Sequence, residues 1–186
     1  MRRALTPRTG RRAADRQAGF TLFELIVVVC VVALMAGILL NRLQTYEEIA
    51  ERAAMQQTAA AIKSALQMRV AAYLINGRDK EIEMLRDENP VTWLQEKPTN
   101  YAGEFHADAY ARVRPGSWYY DIPHKELVYV VNLGSNFVPG PDARKWVRYH
   151  VRIEYEMMPE AGAPPRKVLS AANFAPVEPF AWFRDS

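Results

Sequence analysis

Cysteine is nearly absent from these 186 residues: Cys30 is the single one, and it lies inside an apolar run. A lone thiol makes no intramolecular disulfide, so no bridge of that kind staples the fold. Cys30 reads as a small apolar residue packed against other helices. The alternative, a lipoprotein acceptor, wants a small residue just before the cysteine, and Val29 stands there. Histidine is scarce as well. His106, His124 and His150 are spread through the chain without metal-ligand spacing, so no metal site is expected. No P-loop, nucleophile elbow or Ser/His/Asp order occurs. The chain therefore reads as a non-enzyme without a cofactor. Net positive charge is missing too, except at one end. Residues 1–18 hold six arginines and one acid, Asp15; removing these from totals of 24 and 21 leaves 18 basic and 20 acidic residues after Gly19, a net charge of −2. The basic isoelectric point belongs to the leader, and no nucleic-acid surface is expected beyond it.

What is there begins with Arg2, Arg3, Arg8, Arg11, Arg12 and Arg16, a leader without apolar periodicity. From Phe20 to Leu40 every residue is apolar or small except Thr21 and Glu24. As a helix, this run spans about 31 Å, enough for a bilayer core. Arginines precede it and only Arg42 closely follows, which predicts a cytoplasmic N-terminus and an exported C-terminal domain. A secretory signal peptide would have a shorter apolar core followed by a cleavage site. Here Ala33, Ala36 and Gly37 are embedded in apolar sequence, where they suit close helix–helix approach. Glu24 stands out, because a carboxylate in a membrane helix is costly unless paired or held near the headgroups.

Gly19-Phe20-Thr21-Leu22-Phe23-Glu24-Leu25, continued by Ile26 and Val27–Val29, resembles the class III signal of type IV pilins and type II secretion pseudopilins. The resemblance implies cleavage between Gly19 and Phe20 by a prepilin peptidase and N-methylation of Phe20 by the same enzyme. It also implies pairing of Glu24 with the Phe20 amine of a neighbouring subunit as the helix moves from bilayer to filament. The implied partners are that peptidase, other pilin or pseudopilin subunits, an inner-membrane assembly platform and the bacterial inner membrane. The implied location is the inner membrane, with the N-terminus cytoplasmic and the C-terminal domain periplasmic, and then a pilus or pseudopilus. Many major pilins kink this helix with a proline; here no proline occurs between Pro7 and Pro90, and Gly37 is the only weak point. A single-pass, membrane-anchored periplasmic sensing or binding domain remains the alternative reading.

Beyond Asn41 the pattern turns amphipathic. Ile62, Leu66, Val70, Tyr73 and Leu74 recur at helical spacing, Ala53–Ala61 is strong helix-forming sequence, and Glu47, Glu48 and Glu51 are expected to face water. Asn76-Gly77 supplies a stop. Sustained heptads are absent, against a coiled coil. Short helical turns are expected around Ile82–Leu85 and Val91–Leu94. The string Asn89–Leu94 with Pro98–Glu104 is similar to a loop of minor pilins of the mannose-sensitive haemagglutinin type; its Trp93 and Tyr101 read as packing residues.

Strands are expected at Gly116–Asp121, at Glu126–Asn132 and along Val147–Glu156, where Val147, Tyr149, Val151, Ile153 and Tyr155 alternate with polar residues. Breakers at Pro159–Pro165 lead to a tail whose Phe180–Phe183 reads as a sheet-packing or subunit-contact element. Some pseudopilins hold calcium after the sheet; the matching Gly134–Arg144 offers Asp142 as its one carboxylate, so no metal is expected there. The predicted fold is α+β and type IV pilin-like, a long helix packed on an antiparallel sheet. Its expected parts are a cleaved leader (1–19), a transmembrane and assembly half-helix (20–40), an amphipathic half-helix (41–76) and an exported globular domain (77–186).

Overall fold

The computed structural model describes residues 21–160 and 163–183. A single α-helix, α1, runs from Leu22 to Ile75 over 54 residues. By internal contacts the chain divides between Leu43 and Gln44. Within the second unit α1 buries one face: Glu48, Met55, Ile62, Ala65, Leu66 and Val70 are all under 9% exposed, and Tyr73 is half-buried. These positions recur every three, four or seven residues, the stripe a helix presents to a core. Leu74, expected on that stripe, is 49% exposed at its edge.

The helix ends on Gly77, whose φ of +67° is easily adopted only without a Cβ. The Arg78 amide donates to the Tyr73 carbonyl at 2.9 Å and the Gly77 amide to the Leu74 carbonyl at 3.2 Å. This paired bonding is a Schellman cap, which satisfies carbonyls that the last turn would otherwise orphan. Two 3-10 helices follow, Asp79–Arg86 and Pro90–Trp93. Ile82 and Leu85 of the first are fully buried, and Arg86 donates to the Ile153 carbonyl at 2.7 Å, tying this segment to the sheet.

The sheet has five strands in the order β1-β2-β3-β5-β6, with β1 Tyr101–Phe105, β2 Ser117–Asp121, β3 Glu126–Val130, β5 Trp146–Glu160 and β6 Ala163–Pro176. All neighbours are antiparallel except β1 and β2, which run parallel. The fold is thus α+β, as expected, with a mostly antiparallel sheet and one parallel edge. Strands β1 and β6 are additions to the expected set. β1 contains Gly103 at φ +110°, inside a register break between Tyr101 and Glu104. β6 begins within the proline-rich stretch. It is an edge strand, where a residue without an amide hydrogen costs no ladder bond.

Alternation along β5 holds: Val147, Tyr149, Val151 and Ile153 are buried, while Arg152, Glu154 and Glu156 are exposed. One sheet face packs Trp118, Tyr120, Leu127, Tyr129 and Tyr149 into a core shared with Met55, Ile62 and Leu66 of α1. The other face carries Tyr119, Val128 and Val130 under Ala109 and Val113. β2 and β3 are therefore covered on both sides.

A second, two-stranded sheet pairs β4 (Phe137–Val138) with β7 (Ala181–Trp182). Trp182 is 1% exposed and meets Phe137 edge-on at 5.4 Å, so the Phe180–Phe183 segment packs inside this unit. Its attachment overturns one expectation. Glu47 is exposed, but Glu48 is 2% exposed and Glu51 half-buried. Glu48 accepts hydrogen bonds from the Asn136 amide (2.8 Å), the Asn136 side chain (2.9 Å) and the Trp182 indole (3.0 Å). Glu51 accepts from the Asn132 and Leu133 amides, both at 2.7 Å, and from the Tyr129 hydroxyl at 3.0 Å. The physical reason is that the loop after β3 leaves the sheet with free amides. Two carboxylates one helical turn apart are well spaced to receive them.

Candidate assembly site

The N-terminal turn of α1 is built by its own sequence. Thr21 precedes the first helical residue, and its hydroxyl accepts the Glu24 amide at 3.2 Å. The Thr21 carbonyl accepts the Leu25 amide at 3.1 Å. Thr21-Leu-Phe-Glu24 thus has the spacing of a capping box, with a threonine at the N-cap and a glutamate at the third helical position. Glu24 also sits where a negative charge complements the helix dipole. The Thr-x-x-Glu spacing of Thr21 and Glu24 is itself a helix-start signal that the sequence carries beside the class III resemblance.

Glu24 is exposed, and so is every other residue from Thr21 to Leu40. The large apolar side chains from Leu22 to Leu40 are 44–76% exposed, from Val27 at the low end to Leu22 and Phe23 at the high end. Fully burying one such side chain is worth about 1.5–3 kcal/mol. Repeated over this stretch, that makes water an untenable environment for it. The helix is long and apolar enough to cross a membrane. Cys30 lies exposed within it. Gly19 and Phe20, the expected cleavage and methylation residues, lie outside the described residues.

Several polar groups elsewhere in the protein serve the fold. Trp93 donates to Glu88 at 2.7 Å and lies under the Arg69 guanidinium. Tyr101 accepts from Asn89 at 2.7 Å, and burial pushes its phenol above the ordinary range. Both are packing residues, as expected. His124 pairs with Asp121 at 2.8 Å, and Asp142 accepts the Arg144 amide two residues on. Among the described residues no group of three or more His, Cys, Asp or Glu could hold a metal.

Residues 15–40 match the family model of the prokaryotic N-terminal methylation motif, the class III prepilin signal of type IV pilins and pseudopilins. Proteins with this motif are structural, not catalytic. The motif implies processing by a prepilin peptidase and assembly with other pilin subunits, and the apolar helix suggests membrane anchoring. No curated protein and no solved structure matches the chain.

Proposed function

We propose that this protein is a minor pilin or pseudopilin, a structural subunit of a type IV pilus or a type II secretion pseudopilus. The observation that carries the reading is the methylation motif at residues 15–40, running into a helix long and apolar enough to cross a membrane. In this reading residues 1–19 are removed between Gly19 and Phe20, and Phe20 becomes the N-methylated first residue. Residues 20–40 anchor the subunit in the bacterial inner membrane, with the C-terminal domain in the periplasm, until an assembly platform moves it into a filament.

Glu24 acquires a role in that transfer. In the bilayer it lies within the first helical turn, close enough to the interface for its charge to reach the headgroups. In the filament it meets the Phe20 amine of a neighbour. Opposite charges at close range attract strongly in a low-dielectric bundle, but desolvation offsets most of the gain. Pairing therefore sets the register of subunits more than their stability. The experiment compares intact mass and N-terminal sequence with and without prepilin peptidase. The reading requires a peptidase-dependent loss of residues 1–19 and a methylated Phe20; an unchanged N-terminus overturns it and favours a plain membrane-anchored periplasmic domain. Glu24→Ala is expected to be processed normally yet to co-assemble poorly with other pilins, measured as its share in sheared filaments or cross-linked complexes. Incorporation at the wild-type level removes the pairing role.

A further inference from the structure

A cleft of about 410 Å³ opens where the first 3-10 helix, the β2–β3 turn and β5 converge, a volume within the range of small-molecule sites. Its cationic lining comes from Arg86, Lys125 and Arg152, with the rings of His124 and His150 beside them. Its acids are Asp87 and Glu126. Much of this charge is already used. Arg86 is held by Glu83 at 3.1 Å and by the Ile153 carbonyl, Glu126 is paired with Arg148 at 3.4 Å, and His124 with Asp121. Lys125 and Arg152 are different: neither has an ion-pair partner among the described residues. Lys125 also holds a left-handed backbone conformation, φ +56°, at the end of its turn. A glycine or asparagine would adopt that conformation more easily.

His150 supplies the third element. Its Nδ1 is buried without a hydrogen-bond partner. A buried lone pair is better tolerated than a buried orphan N–H, which puts the neutral ring's proton on Nε2. The ring's acidity responds to the same surroundings: burial first, then Arg152 and Arg86, hold His150 below the ordinary histidine range. Lys125 and Arg152 outweigh the one unpaired acid of the cleft, Asp87, and leave it with a net positive charge that the fold does not compensate.

We propose that this cleft binds a tetrahedral oxyanion, the phosphate or sulfate group of a small ligand or headgroup, between Lys125 and Arg152 with the His150 ring as a further donor. Arg86 contributes field from its fixed position, and Asp87 and Glu126 limit the affinity. An anion there offsets the repulsion that Arg152 and Arg86 exert on His150, so binding and protonation of His150 favour each other. By linkage, binding strengthens as pH falls through the titration of His150.

The test uses the full chain in micelles of an uncharged detergent, with its histidine side chains followed by NMR. The protein has three histidines, and His106 lies outside the cleft, so it serves as an internal control. Titration with inorganic phosphate, or with inorganic sulfate, is expected to shift His150 and His124 saturably while His106 stays put. The apparent pKa of His150 is expected to rise. Arg152→Gln and Lys125→Gln should each weaken binding about tenfold, the loss of one charge-assisted bond. An unchanged anion-free signal from His106, outside the cleft, together with wild-type amide dispersion, establishes that each variant is folded. A response to only one of the two anions narrows the ligand to that chemistry. Phosphatidylglycerol added to the micelles separates the sources: displacement of sulfate by the lipid assigns a headgroup, and an undisturbed titration assigns a soluble ligand. A linear drift of all three histidines matching a chloride control overturns the proposal, as does an Arg152→Gln, Lys125→Gln double variant that titrates like wild type.

Discussion

Replacing Glu48 by alanine removes the acceptor of three hydrogen bonds at a site only 2% exposed. The donors left behind are the Asn136 amide, the Asn136 side chain and the Trp182 indole. A buried donor stripped of its acceptor costs about 1–3 kcal/mol. Three together set an upper range of about 3–9 kcal/mol, and water entering the space left by the carboxylate keeps the cost at the low end. A loss of about 3–4 kcal/mol is therefore expected, or about 6–16 °C in the melting temperature of a domain of this size. Glu48→Gln tests the same reasoning from the other side. One amide oxygen still serves the Asn136 amide and Trp182, and the Asn136 side chain can turn over to accept from the new NH2 group, so the loss shrinks to about 1 kcal/mol. Urea unfolding followed by tryptophan fluorescence gives the energies. Hydrogen exchange over residues 133–139 and 181–183 gives the location. The reasoning is refuted if Glu48→Ala unfolds with the wild-type midpoint, or if exchange in those two segments is no faster than before.

Leu66→Ala, at a fully buried position of the α1 face, is expected to cost about 2–5 kcal/mol, read as a lower urea midpoint with an unchanged slope. Gly77→Ala forces a Cβ into a left-handed cap at φ +67° and is expected to cost about 1 kcal/mol, with faster amide exchange confined to the end of α1. His150 has a folded pKa held below its ordinary value, by burial and then by Arg152 and Arg86. As pH falls below about 6.5 the unfolded chain takes up a proton that the folded chain still refuses, so stability declines from there down to the folded pKa and then levels off. In buffers free of phosphate and sulfate, His150→Gln is expected to lose that part of the acid sensitivity; an identical pH profile for variant and wild type would rule the effect out.

Parts of this protein were legible because their causes are local. Ile62, Leu66, Val70 and Tyr73 announce a buried helical stripe by spacing alone, Asn76-Gly77 announces its end, and the alternation from Val147 to Ile153 announces a half-buried strand. β1 was not legible: Tyr101-Ala-Gly-Glu-Phe105 has little strand propensity, and its ladder comes from β2 beside it. β6 was hidden by prolines that an edge strand tolerates. Glu48 and Glu51 were misread for a different reason. A glutamate on an amphipathic helix is by composition a water-facing residue. Nothing near it in sequence mentions that its partners lie between 78 and 134 residues further on. At the assembly site the signal itself was fully legible, because leader, apolar run and Glu24 are contiguous. The partner that Glu24 is proposed to meet belongs to another molecule.

The two carboxylates also set a temporal order on the fold. During synthesis Glu48 and Glu51 are made early, while the Asn136 amide that Glu48 receives comes 88 residues later and the Trp182 indole 134 residues later. Contacts of such long sequence separation are slow to form, because a large loop must close before they give anything back. Through that interval the carboxylates stay hydrated and the stripe from Met55 to Val70 has no sheet to cover it. The nascent domain is thus an open helix with a wet, charged upper end. Trp182 is the last of these partners to be made, so the hydrogen bonds on Glu48 are complete only once the final strand is in place.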